Sequence, residues 1–154
     1  MRTGEVHCAT VADTRALGAR LARVARAGDL ILLAGPLGAG KTALAQGIGA
    51  GLGVAGPVTS PTFVIARVHP GPLPMVHVDA YRLGGAADPF AEIDALDLDA
   101  SLDDAVTVVE WGEGLVERLA EAHLRVAVSR QADDTRVVRL EPHGGDWARR
   151  LAAA

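Results

Sequence analysis

The chain has 154 residues, 49% of them hydrophobic, enough to bury one substantial core and short for two, so a single domain spanning 1–154 is expected. A formal charge of -4 and a pI near 5.7 exclude the broad basic footprint of a nucleic-acid binder and disfavour direct, tight RNA binding. The lone Cys8 excludes an internal disulfide and a cysteine-based zinc site, which suits a reducing cytosol. No basic segment leads into an apolar run, and no stretch approaches the roughly 18 apolar residues of a membrane span. A soluble, cytoplasmic chain without membrane association is the expectation.

Residues 6–9 read as a short strand, after which Asp13 is placed to N-cap a helix whose Leu17, Leu21 and Val24 recur at helical spacing. Arg15, Arg20, Arg23 and Arg26 fill its wet face, and Gly28 is its expected stop. Leu30-Ile31-Leu32-Leu33-Ala34 is a continuous apolar run of strand length, the pattern of a strand buried on both faces. Directly after it stands Gly35-Pro36-Leu37-Gly38-Ala39-Gly40-Lys41-Thr42, a full match to the G-x-x-x-x-G-K-[ST] phosphate-binding loop. Lys41 is the only lysine of the chain, every other basic side chain being arginine. It is kept where a compact ammonium has to reach a nucleotide's phosphates. Ala43, Leu44, Ile48 and Leu52 then share one helical face, until the glycines of 51–56 end the helix. Strand, glycine loop and helix are the context this motif requires.

Beyond the Thr59-Ser60-Pro61-Thr62 loop, 63–69 and 75–79 read as two strands whose short connection implies an antiparallel pair. Asp88-Pro89 resembles a helix start, with Phe90, Ile93 and Leu96 as its buried side, and the aspartates of 94–104 as a solvated surface. Residues 106–110 form another buried strand, and 112–119 a helix. Residues 124–128 and 136–140 alternate inward and outward around 131–134, which reads as a hairpin at the sheet edge, and a short helix from Gly145 closes the chain.

In the phosphate loop, the backbone amides from Leu37 through Gly38, Ala39, Gly40 and Lys41 to Thr42 would converge on anionic oxygens at the positive end of the following helix. Lys41 would bridge the β and γ phosphates and the Thr42 hydroxyl would ligate Mg²⁺. Two apolar strands each end in an acid, Asp79 and Glu110, and either suits the metal or the attacking water. Thr59, Ser60 and Thr62 offer hydroxyls where nucleotide hydrolases carry a switch loop. Trp111 follows Glu110 directly, either covering the site or packing. Tyr81-Arg82 places a guanidinium near Asp79, for a phosphate or for the acidic segment. His69, His77 and His123 share no metal-ligand spacing and read as structural. With no asparagine and no second lysine, the Asn-Lys-x-Asp element of guanine recognition is excluded, and ATP becomes the default nucleotide.

Together, 35–42, Ser60-Pro61-Thr62-Phe63, His77-Val78-Asp79-Ala80-Tyr81-Arg82-Leu83 and Val109-Glu110-Trp111-Gly112-Glu113 resemble, in order and spacing, the four signature blocks of the TsaE (YjeE) family. The resemblance implies an α/β, three-layer P-loop NTPase-like fold: a mixed sheet with a parallel core and antiparallel hairpins, and helices on both faces. It implies an ATPase required for threonylcarbamoyladenosine modification of tRNA, associated with TsaB and TsaD, resetting that complex between turnovers and meeting tRNA only through those partners. By the same resemblance ATP and Mg²⁺ are the cofactors and Thr42 and Glu110 ligate the metal. Lys41, Asp79 and Glu110 carry catalysis, and Leu37 to Ala43, Thr62 and Trp111 line the nucleotide. Leu96-Asp97-Leu98 departs from the Leu-Gly-[LI] turn common in that family, away from the nucleotide blocks. Base-contacting residues lie outside the blocks, with the Thr10 to Asp13 loop and the Arg130 to Asp134 turn as unassigned candidates. The competing readings are a small-molecule kinase with Asp79 as acceptor base, against which stands the lack of an arginine-rich lid, and a non-enzymatic module in which ATP only orders residues 59–62.

Overall fold

A computed structural model of the chain describes residues 4–36, 38–56, 58, 66–80, 103–111 and 122–153. Its strands are β1 (Gly4–Cys8), β2 (Leu30–Ala34), β3 (Ala66–His69), β4 (Met75–Asp79), β5 (Val106–Glu110), β6 (His123–Arg130) and β7 (Arg136–His143). Its helices are α1 (Val11–Val24), α2 (Lys41–Leu52) and α3 (Trp147–Ala153). The strands form one sheet in the order β1-β7-β6-β2-β5-β4-β3. β6, β2, β5 and β4 run parallel at its centre, while β3, β7 and β1 join antiparallel. This is a mixed α/β architecture with a parallel core, as the resemblance implies.

Every residue of β2 and β5 is buried, which is why both read as unbroken apolar runs instead of alternating ones. Ile31, Leu33, Val106, Val108, Leu124 and Val126 pack with α1, α2 and α3 on one face. Leu30, Leu32, Val76, Val78 and Val109 form a second cluster on the other. The three described helices thus share one face. The helices expected from Asp88 and over 112–119 lie outside the described residues.

Several boundaries and one placement differ from expectation, β1 running over Gly4–Cys8 instead of 6–9 and the hairpin strands extending past 124–128 and 136–140. α1 is capped by Thr10, whose hydroxyl accepts from Asp13 N at 3.1 Å, while the Asp13 carboxylate accepts from Thr10 N at 3.1 Å; Asp13 is the third helical residue and not the cap. The helix stops at Val24 and Ala25, and Gly28 instead turns the chain into β2 with a φ of 95°. The β6–β7 hairpin is as antiparallel as expected, but it is not the edge: β1 pairs along β7, so the outer strand on this side comes from the start of the chain. A distant strand closing a hairpin leaves no local signal, because the pairing is set by hydrogen bonds that span more than a hundred residues of sequence.

α1 and α2 lie unusually close. A Cβ added at Gly47 would sit 2.1 Å from the Arg15 carbonyl oxygen, and one at Gly18 would sit 2.5 Å from that of Leu44. The glycines let the two backbones touch, which pins α2, and with it the phosphate loop, against α1.

Candidate nucleotide site

Parallel strands β2, β4, β5 and β6 all end on one edge of the sheet, where open α/β folds place their ligands. Gly35 leaves β2 there with a φ of 136°, and a Cβ on it would meet the Val128 carbonyl oxygen at 2.4 Å. Only glycine fits between the two strands at that point. Gly40, with a φ of 114°, is the N-cap of α2 and provides no side-chain cap; the first turn of α2 also holds no acid. α1 has a complete capping box a short distance away, whereas the first amides of α2 are left without a side-chain partner. Such an uncapped, positively polarised helix end is suited to an anion.

Lys41 is the first residue of α2, and only 5% of it is exposed. Its ammonium donates to the carbonyl oxygen of Gly35 and, at 3.3 Å, to that of Pro36. It also lies 3.5 Å from the centroid of the Trp111 ring, in cation–π contact. Trp111 adopts a φ of 64°, a left-handed conformation that a bulky residue enters only when its surroundings enforce it. Glu110 immediately before it is buried at the end of β5, in register with Asp79 at the end of β4. The structure therefore brings the loop lysine, the tryptophan and both strand-end acids to the same edge. Thr42 and Ala43 are half-buried in the first turn of α2, Ala39 is buried, and Gly38 is exposed with a φ of 79°. Leu37, Ser60, Thr62, Tyr81 and Arg82 lie outside the described residues.

Two further residues lie at this edge, His77, which reads from sequence as structural, and Arg136, which the sequence does not single out. His77 does not stand apart from the site: its Nε2 lies 2.6 Å from Glu110 Oε2, and both side chains are buried. The signal was available in the strand period, since His77 and Asp79 are two apart on β4 and so share a face. Arg136 reaches from the start of β7 to the phosphate loop, its Nε donating to the Ala39 carbonyl oxygen at 2.7 Å and its Nη1 to that of Asp134 at 2.6 Å. It thereby ties the β6–β7 turn to the loop, on the side away from β5 and β4. Arg130 and Asp134, unassigned candidates for base contact, pair with each other at 2.6 Å, and Thr10 and Asp13 are engaged in the α1 cap.

Among the histidines, His69 is held below its ordinary range, first by burial and then by the charges of His77 and Arg67. Burial pushes the Cys8 thiol up, so it stays protonated and inert. Among the described residues no group of three or more His, Cys, Asp or Glu side chains is arranged to hold a metal.

This fold and the glycine loop at its sheet edge define a P-loop-like α/β protein. Residues 8–138 match the family model described as threonylcarbamoyl adenosine biosynthesis protein TsaE, and the chain belongs to that family. A Streptomyces coelicolor protein named tRNA threonylcarbamoyladenosine biosynthesis protein TsaE is 58% identical over 142 residues, covering 87% of this chain and 93% of its own. Its namesake in Bacillus subtilis is 36% identical over 141 residues, covering 88% and 83%. The crystal structure of B. subtilis YdiB superposes with a TM-score of 0.77 at 29% identity, over 97% of this chain and 90% of that one. No helix among the described residues is long and apolar enough to cross a membrane.

Proposed function

We propose that the chain is a Mg²⁺-dependent ATPase serving threonylcarbamoyladenosine modification of tRNA, acting with TsaB and TsaD to reset their complex between turnovers and meeting tRNA only through them. The biosynthetic role is supported by the family and by the names of the relatives. The observation that carries the chemistry is the uncapped N-terminus of α2, with Lys41 beside it and a buried acid at the end of the neighbouring strand. An anion arriving there meets amides with no competing side chain.

On this reading ATP lies with its β and γ phosphates on the residue 35–42 loop, where Lys41 exchanges its loop carbonyls for phosphate oxygens. Thr42 and Glu110, a hydroxyl on the first turn of α2 and a buried carboxylate at a strand end, suit Mg²⁺, which when bound supplies neutralisation of phosphate charge. Asp79 orients a water whose oxygen bonds to the γ phosphorus as the bond to the bridging oxygen breaks, giving ADP and phosphate, and it accepts a hydrogen bond from that water. Trp111 walls the lysine. Leu37, Gly38, Ala39, Gly40, Ala43 and Thr62 complete the lining. Catalysis of this kind is mostly positioning and electrostatics, since the transition state needs little covalent help.

The test is ATP hydrolysis by the purified chain, alone and with TsaB and TsaD, with Lys41→Ala as control. Partner-stimulated hydrolysis that disappears in the variant is expected. Nucleotide binding with no stimulation and no complex would refute the reading.

A further inference from the structure

We infer that His77 is a positioning residue for the Glu110 carboxylate, holding one of its oxygens so that the other is left for a cation. The inference rests on the reading of Glu110 as a Mg²⁺ ligand. His77 and Glu110 come from adjacent parallel strands, β4 and β5, and sit on the helix-bearing face by strand alternation, continuing the rows of Met75 on one strand and Val106 and Val108 on the other. The Nε2 to Oε2 distance is 2.6 Å, and His77 is 0% exposed. This is the one side-chain hydrogen bond seen for Glu110 among the described residues. A glutamate carboxylate turns freely about its last bond unless one oxygen is held. Commitment of Oε2 to the imidazole therefore fixes the plane in which Oε1 is offered.

The other face of the imidazole argues against a purely structural role. His77 Nδ1 is buried with no hydrogen-bond partner among the described residues. A polar ring flanked by Val76 and Val78 that leaves one of its two nitrogens unpaired is tied to the one side chain it does meet, Glu110, whose buried carboxylate an apolar residue here would leave unpaired. With Nε2–H donating to the carboxylate, Nδ1 is left as an acceptor that meets no donor among the described residues. The ring is thus suited to a single task, which is donation to Glu110. Hydrogen-bond partners of metal-ligating carboxylates behave in this way, and their loss typically weakens metal binding by about 10–100-fold.

The experiment is ADP binding by calorimetry across a MgCl₂ titration and in EDTA, for wild type, His77→Met, His77→Gln and His77→Asn, with thermal melts alongside. The glutamine amide reaches about as far as Nε2, whereas that of asparagine falls short. His77→Met and His77→Asn are expected to raise the Mg²⁺ concentration for half-maximal effect by about 10-fold or more, with ADP affinity in EDTA unchanged and with His77→Gln close to wild type. In a Glu110→Gln background, His77→Met is expected to add nothing. A His77→Asn protein that folds and keeps the wild-type Mg²⁺ midpoint, or loses affinity equally with and without metal, overturns the positioning role. A wild type whose ADP affinity ignores Mg²⁺ overturns the metal reading of Glu110 itself, and the role of His77 with it. Should His77→Met fail to fold, the glutamine and asparagine pair still decides.

Discussion

Lys41 occupies a space made for an ammonium and for little else. Two loop carbonyls and the Trp111 face surround Nζ, and the residue is almost wholly buried. A guanidinium is planar, wider and forked, so Lys41→Arg keeps the charge and loses the fit. Lys41→Arg and Lys41→Ala are both expected to weaken ADP binding by at least about 2 kcal/mol, roughly 30-fold, measured by calorimetry; an arginine variant that binds like wild type would show that charge alone suffices. His69 offers a pH test at the same scale. Because its folded pKa lies below the ordinary value of about 6.5, the unfolded chain takes up a proton that the native state refuses as pH falls. Its contribution is therefore neutral above that value and destabilising progressively below it. Urea unfolding of His69→Met between pH 7.5 and 5, at roughly half-unit steps, is expected to show a shallower loss of stability on the acid side than wild type. Parallel slopes would mean that His69 does not govern it.

At the scale of elements, the α1–α2 contact and the α1 cap make separable predictions. Gly47→Ala drives a methyl into the Arg15 carbonyl oxygen, a backbone atom that moves only with its helix, so α1 and α2 must part. A loss of about 1–3 kcal/mol in urea unfolding is expected, as for other overpacked contacts. Nucleotide affinity should fall too, since Lys41 and Thr42 travel with α2. Thr10→Ala removes one half of the capping box and should cost about 1 kcal/mol, with a smaller loss of nucleotide affinity than Gly47→Ala because the Arg15–Gly47 contact that seats α2 is untouched. Equal binding losses in the two variants would contradict that division. The glycines of α2 read from sequence only as a weak helix pattern; that Gly47 is obligatory follows from which backbone it meets.

For the molecule as a whole, Arg150 on α3 joins parts of the chain that are far apart in sequence. Its guanidinium holds Asp29 through both oxygens at 2.7 and 2.9 Å, caps the α1 end by donating to the Val24 carbonyl at 2.8 Å, and pairs with Asp146 at 2.9 Å. The stacked Trp147 ring lies 4.0 Å from its centre. The hydrogen bonds to Asp29 raise the Arg150 pKa further, so the guanidinium stays charged. Asp29 leads into β2, so the clamp lies at the opposite end of β2 from the phosphate loop. Arg150→Met strands a mostly buried carboxylate and is expected to cost about 3 kcal/mol in urea unfolding, with nucleotide affinity of the folded fraction unchanged. A loss of less than about 0.5 kcal/mol would place it with ordinary surface pairs.

What the amino-acid sequence determined by itself was everything carried by short-range pattern. The glycine loop between a fully apolar strand and a helix, the two strands each ending in an acid, the antiparallel β3–β4 and β6–β7 pairs and the family blocks are all local. Periodicity and turn chemistry act over a few residues and can be read there. Only the tertiary structure decided that β1 closes the edge beyond β7, that α1 and α2 touch through glycine, that Arg136 holds the Ala39 carbonyl, and that His77 meets Glu110. These contacts join residues 97 and 33 positions apart in the last two cases. Their partners are chosen by which strands pair and how closely helices pack, quantities set by burial and hydrogen bonding across the whole sheet. No single stretch of sequence contains them.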